Sequence, residues 1–241
     1  FGYDEFRQGQ NEIINLIVNK KNVLAIMPTG AGKSLCYQIP AIINKNKTIV
    51  ISPLVALMDD QVSALKQNKV SAERIHSHMA DAENKEIWDS FCEGNIKVLY
   101  MSPEALMSHS KLELIKTLDI GLFVIDEAHC ISKWGPGFRK DYEALSQLKK
   151  LFPSANISAF TATADEATRE DIMKKLTNSN CELVLQGFKR PNLRLSVYQK
   201  FNWKDQLLRF LSDRKGQSGI VYCLSRKNTE EVAEFLNQKG F

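Results

Sequence analysis

The chemistry available to this sequence rests on a lysine and a serine near its start and two adjacent carboxylates near its middle. Asn22 to Ser34 reads NVLAIMPTGAGKS. Val23 to Met27 is an unbroken apolar run, as expected for a strand buried on both faces. Pro28 ends it, and the small residues Thr29, Gly30, Ala31 and Gly32 lead into Lys33 and Ser34. A strand, a tight turn and a helix N-terminus together make an anion site, because free backbone N–H groups converge there and the helix dipole favours negative charge. Lys33 supplies a positive charge for β- and γ-phosphates, and the Ser34 hydroxyl is placed to ligate Mg²⁺. The strict pattern G-x-x-x-x-G-K-[ST] calls for glycine at position 27, where this chain has Met27. A purely structural turn is the competing reading.

Phosphoryl transfer to water needs a metal to offset charge and a carboxylate to place the attacking water. Asp126 and Glu127 follow the apolar run GLFVI (121–125) directly. Asp126 suits Mg²⁺ binding, and Glu127 suits orienting or deprotonating the water. A helix cap is the plainer alternative for such a pair. His129 is a candidate to couple nucleotide state to Thr161 or Thr163, which end the run NISAF (156–160). Residues 130–138, CISKWGPGF, place Trp134 and Phe138 beside Arg139, a pattern that can stack on unpaired bases and contact phosphates. Core packing of Trp134 is the alternative. Upstream, the Gln10 amide can pair bidentately with adenine N6 and N7. Tyr3 can stack on the base, with Arg7 nearby. A solvated glutamine is the plainer reading of Gln10.

The elements that must hold these groups follow from periodicity. Helical spacing of Phe6, Ile13, Ile14 and Ile17 predicts a helix over 4–18, and a second helix runs from Lys33 to a stop at Pro40. Strands are predicted at 48–52, 74–75, 97–101, 121–125 and 156–160, with helices at 54–67 and 82–92. Strands alternating with helices argue for an α/β fold with a mostly parallel sheet, a RecA-like phosphate-loop domain over 1–187. Ligands then sit beyond the carboxyl ends of the strands, where Lys33, Asp126 and Thr161 would converge. The run GFKRPN (187–192) reads as a linker. Residues 188–241 read as the opening of a second such domain, with alternation at 193–198, a helix at 203–211, a buried strand at 219–223 and a helix at 226–238.

The chain has 241 residues, 44% of them hydrophobic and 25% charged, and carries a net charge of +4. These are the proportions of a globular protein, and its apolar runs are too short to span a membrane. From Phe188 onward there are 11 Lys/Arg and 5 Asp/Glu, a net of +6, against −2 for the rest. That basic end either faces a polyanion or is ordinary solvated surface. Five scattered cysteines without a C-x-x-C pair suggest reduced thiols in a bacterial cytoplasm or a nucleus. His76 and His78 lack the companions a metal site needs. A chain that begins at Phe1 and closes on Lys239-Gly240-Phe241, where another strand is expected, reads as part of a longer protein.

Taken together, these residues resemble the RecQ family of superfamily 2 DNA helicases along essentially the whole chain. FGYDEFRQGQ (1–10) is similar to the family's adenine-recognising motif, and MPTGAGKSLCYQIP (27–40) to motif I. SPLVALMDDQV (52–62) and YMSPE (100–104) are similar to DNA-facing motifs. DEAHCISKWG (126–135) is similar to motif II with the family's aromatic-rich loop, TATA (161–164) to motif III, and VYCLSR (221–226) to motif IV. The resemblance implies a 3′-to-5′ DNA-unwinding motor that uses ATP and Mg²⁺, acts on single-stranded DNA and duplex junctions in recombination and repair, and works as a monomer off the membrane. It implies catalytic roles for Lys33, Asp126, Glu127 and His129, nucleotide contacts from Tyr3, Arg7, Gln10 and Thr29 to Ser34, and DNA contact or coupling by Trp134, Phe138, Arg139, Thr161, Thr163, Ser225 and Arg226. Motif Ia more often has Ser and Lys where this chain has Ala56 and Asp59, and Asp59 would repel phosphate. The aromatic loop usually has His-Asp where Pro136 and Gly137 stand. Motifs V and VI, with the family's arginine finger, have no match here, so the chain alone is expected to bind nucleotide and hydrolyse it slowly. An RNA helicase of the same superfamily and a non-catalytic binding module are the alternatives.

Overall fold

The computed structural model describes the chain except Tyr3, residues 77–78, 135–138 and 188–192, and the side chain of His109. The predicted calls on Tyr3, His78, Pro136, Gly137, Phe138 and most of the 187–192 linker therefore lie outside the described residues. Two compact units divide between Lys189 and Arg190.

In the first unit, seven parallel strands form one sheet. They are β1 (Val23–Ile26), β2 (Lys47–Ile51), β3 (Ala72–Ile75), β4 (Val98–Met101), β5 (Ile120–Ile125), β6 (Asn156–Thr161) and β7 (Glu182–Leu185). Their order is β3-β4-β2-β5-β6-β1-β7. Strands buried on both faces need apolar residues at successive positions, which is why β1, β2 and β5 read as continuous runs. Side chains alternate between two cores. Leu24, Ile26, Ile49, Ile51, Phe123 and Ile125 face one side. Val23, Ala25, Val50, Leu122 and Val124 face the other.

Helices α1 (Gln10–Val18), α2 (Lys33–Ile43) and α3 (Val55–Gln67) cover the second face through Ile13, Ile17, Tyr37, Met58 and Leu65. The opposite face is covered by α4 (Asp81–Glu93), α5 (Pro103–Leu106), α6 (His109–Ile115), α7 (Lys140–Glu143), α8 (Leu148–Leu151) and α9 (Glu166–Thr177), through residues such as Phe91, Leu106, Ile115, Tyr142, Leu148 and Ile172. A 3₁₀ turn spans Ala128–Ile131 and another Ala144–Gln147.

Several expectations need correction. The first helix starts at Gln10, not residue 4, because Gly9 takes a left-handed conformation (φ 78°) that breaks the helix there. Helix α2 runs through Pro40 to Ile43, because the buried Ala41 keeps the next turn packed and the Asn44 N–H bonds the Pro40 carbonyl at 2.9 Å. Strand β7 and helix α9 were not anticipated.

The second unit holds α10 (Trp203–Ser212) and α11 (Arg226–Gln238). Trp203 packs edge-on against Phe235 with ring centroids 5.7 Å apart, and the Lys204 ammonium lies over both rings. The predicted strand at 219–223 is not formed, nor does 193–198 make one. Ile220 and Tyr222 are exposed, because a strand exists only through pairing and no described segment of this unit pairs with either run.

Candidate active site

The strand register gathers the predicted site at one edge. Ile26 pairs with Thr161, Ile125 with Ala159, and Ile51 with Ile125. The residues that follow β1, β5 and β6 therefore leave the sheet side by side, with β6 between the other two. The loop after β1 turns through Gly30 (φ 80°) and Gly32 (φ 84°), conformations that side chains with a Cβ rarely adopt. Met27 takes no such conformation and is fully buried, with Cys36 Sγ 3.9 Å from its Sδ. It is a core residue, so the missing glycine does not affect the loop.

Arg7 and Gln10 hold this loop from outside. Arg7 Nη1 donates to the Gly30 carbonyl. Gln10 Nε2 donates to the carbonyls of Ala31 (3.3 Å) and Gly32 (3.1 Å), while Gln10 Oε1 accepts from the Arg7 N–H at 2.8 Å. A Cβ on Gly32 would stand 2.3 Å from Gln10 Nε2. The Gln10 amide is thus engaged with the loop, and contacting a base would require it to exchange one of these bonds. Thr29 is exposed and Ser34 half-buried at the start of α2. Lys33 Nζ rests 3.4 Å from the Met27 carbonyl.

Across the same edge, Asp126 is 8% exposed, and its Oδ1 accepts from the Glu127 N–H at 3.0 Å. Burial and then the neighbouring Glu127 push the Asp126 carboxyl up to about 6, against the pull of Lys33 and His129. Glu127 is held below the usual range, first by its hydrogen bond with His129, with Lys33 also contributing. The field of Lys33 therefore reaches both carboxylates. His129 Nδ1 lies 2.8 Å from Thr161 Oγ1 and 3.2 Å from Glu127 Oε2. Contacts with the Cys130 sulfur and with Glu127 raise the imidazole to about 9, so it carries a proton at neutral pH. Thr161 Oγ1 in turn donates to the Thr163 carbonyl and accepts from its N–H, both at 3.2 Å. An acid, an imidazolium and the end of β6 thus form one hydrogen-bonded chain beside the loop.

The sequence matches the DEAD/DEAH box helicase family over residues 7–172. The chain belongs to the DEAD/DEAH box helicase family. Within it, the chain is similar to proteins named ATP-dependent DNA helicase RecQ. It is 46% identical over 240 residues to that of Pasteurella multocida, covering 100% of this chain and 38% of the relative. To that of Bacillus subtilis it is 40% identical over 241 residues, covering 99% and 41%. It therefore spans about two fifths of these relatives' length. A crystal structure of the DUF1998 helicase MrfA superposes with a TM-score of 0.75 at 18% identity, covering 98% of this chain and 39% of that one, a likeness of fold.

Other predicted residues of the helicase domain lie elsewhere. Trp134 is 75% exposed, with its backbone N–H on the Ser132 hydroxyl at 3.2 Å, so packing into the core is not its role. Arg139 is exposed, and its N–H closes on the Cys130 carbonyl at 2.9 Å. In the second unit, the Ser225 hydroxyl caps α11 by accepting from the Asn228 N–H, and Arg226 is the first helical residue. Asp59 is paired with Arg74, which offsets the charge that would have repelled phosphate.

Sequence reasoning missed a buried polar string behind the loop. Tyr37, one helical turn after Ser34, is buried, and burial first, then Tyr100 and Asp126, raise its hydroxyl well above the usual range. Gln38 Nε2 donates to the Gln61 Oε1 at 2.9 Å and reaches the Tyr100 hydroxyl at 3.4 Å. Burial raises the Tyr100 hydroxyl to about 12. The only local signal was the i, i+3 spacing from Ser34 to Tyr37.

Proposed function

We propose that this domain is the nucleotide-binding part of a RecQ-type DNA helicase that couples ATP hydrolysis to 3′-to-5′ movement on single-stranded DNA and to duplex unwinding in recombination and repair. The observation that supports it is the joint placement of Lys33, Asp126 and Glu127 at one sheet edge, linked through His129 to Thr161. The loop N–H groups and the Lys33 ammonium bind the triphosphate. Glu127, kept ionised beside a protonated His129, takes a proton from or orients the attacking water. His129 passes a change at the acid pair to Thr161 and the end of β6.

Among the described residues, no group of three or more His, Cys, Asp or Glu could hold a metal by itself. The Asp126 carboxylate and the Ser34 hydroxyl are hard oxygen donors, and Mg²⁺ characteristically takes one or two such protein ligands together with phosphates and water. Those two residues would hold it, and it would offset the charge on the phosphates. The exposed Trp134 and Arg139 suit stacking on unpaired bases and contact with phosphates.

The test is titration of the chain with a fluorescent ATP analogue and Mg²⁺, then turnover with single-stranded DNA or RNA. The proposal expects nucleotide binding that Lys33→Ala abolishes, slow turnover, and tighter binding to single-stranded DNA than to RNA. Nucleotide affinity untouched by Lys33→Ala, or a preference for RNA, overturns it. Fast DNA-stimulated turnover overturns the expectation that the chain alone is slow.

A further inference from the structure

Glu127 has φ 48° and ψ 45°, the left-handed region, in a residue that carries a Cβ. Such a conformation persists only where its surroundings impose it. Part of the imposition is local. The Glu127 N–H donates to Asp126 Oδ1, and the Cys130 N–H donates to the Glu127 carbonyl at 2.9 Å. Two distant side chains add to it. The hydroxyl of Tyr142, on α7 and fully buried, donates to the Asp126 carbonyl at 3.0 Å. The ammonium of Lys175, on α9 and steadied by Asp171 at 3.0 Å, donates to the Ile131 carbonyl at 2.9 Å. The turn that carries Glu127 and His129 is therefore gripped at both ends, from two different helices.

We propose that Tyr142 and Lys175 are positioning residues for the acid pair. Each meets the turn through a backbone carbonyl, and those two carbonyls bracket the strained turn from which the Glu127 and His129 side chains project. Tyr142 also ties the turn to Arg139. Arg139 bonds the Cys130 carbonyl, the Tyr142 N–H bonds the Arg139 carbonyl at 3.1 Å, and the Tyr142 hydroxyl returns to Asp126. A displacement at Arg139 therefore reaches Glu127 through one side chain. This assignment rests on the reading of Asp126 and Glu127 as the groups that act on phosphoryl transfer.

The experiment compares Tyr142→Phe, Lys175→Met and Lys175→Arg with the unaltered chain in single-turnover ATP hydrolysis, in nucleotide binding, and in amide hydrogen exchange of residues 127–132. Each of the first two variants is expected to slow hydrolysis about tenfold while leaving nucleotide affinity within about twofold, and Lys175→Arg to recover most of the rate. Exchange at 127–132 should rise about tenfold in Tyr142→Phe, with β1 unchanged. Unchanged hydrolysis, or affinity falling in step with rate, overturns the positioning role. Unchanged exchange overturns the grip itself. If the unaltered chain neither binds nor hydrolyses ATP, the functional reading fails, and the exchange measurement alone decides whether the two side chains hold the turn.

Discussion

Replacing Gly32 by alanine tests the loop where its geometry is tightest. The new Cβ would meet Gln10 Nε2 at 2.3 Å, a separation no pair of such atoms sustains. The amide ends a flexible side chain, so it swings away and gives up its bonds to the Ala31 and Gly32 carbonyls. Losing two hydrogen bonds at about 0.5–1.5 kcal/mol each, and holding alanine at a left-handed φ for about 1–2 kcal/mol, totals about 2–5 kcal/mol, or about 30-fold to 4,000-fold in the population of the binding-competent loop. Titration with a fluorescent ATP analogue reads that loss as weaker affinity. The two contributions separate in a Gln10→Ala background, where the collision and its lost bonds are already gone and Gly32→Ala retains only the backbone cost of about 1–2 kcal/mol. Affinity for Gly32→Ala within about threefold of the unaltered chain, or the same cost in both backgrounds, would refute the reasoning.

Three further outcomes follow from the same geometry. Glu127→Gln should keep nucleotide affinity and lower turnover by about 10²–10⁴-fold, measured by phosphate release, because it removes the base and leaves the loop intact. Trp134→Ala should leave the melting temperature unchanged, since the ring is mostly in solvent, and weaken single-stranded DNA binding by about 1–3 kcal/mol in an anisotropy titration. Phe123→Ala should destabilise the first unit by about 3–5 kcal/mol, seen as a lower urea midpoint, because Phe123 is fully buried on β5 with the Phe152 ring 5.0 Å away.

Much of the fold could be read from residue order because a parallel sheet covered on both faces writes itself as apolar runs. VLAI, TIVI and GLFVI are unmistakable for that reason. ELVL (182–185) was not, because β7 is an edge strand that leaves Leu183 and Leu185 partly in solvent. GIVYC has the composition of a buried strand, yet strand formation depends on neighbours that composition does not reveal. Pro40 misled because a proline late in a helix removes one hydrogen bond, a loss the packing of Ala41 outweighs. At the site, Asp126 and Glu127 stood out because they directly follow an apolar run, and Lys33 and Ser34 because a small-residue turn after another such run leads into them. Gln10 looked like a solvated or base-reading amide, and only the fold shows it 2% exposed against a loop more than twenty residues away. Tyr142 and Lys175 gave no local signal, since their carbonyl partners lie 16 and 44 residues away in sequence.

The central claim is that one edge of this sheet takes a triphosphate between Lys33 and the acid pair. A crystal structure of the chain with a non-hydrolysable ATP analogue and Mg²⁺ tests it most directly. The account predicts phosphates seated on the 28–34 loop with the Lys33 ammonium in contact, and the metal between Ser34 and Asp126 with Glu127 facing the γ-phosphate. A nucleotide bound elsewhere, or phosphates on the loop with Asp126 and Glu127 turned away from them, would contradict it.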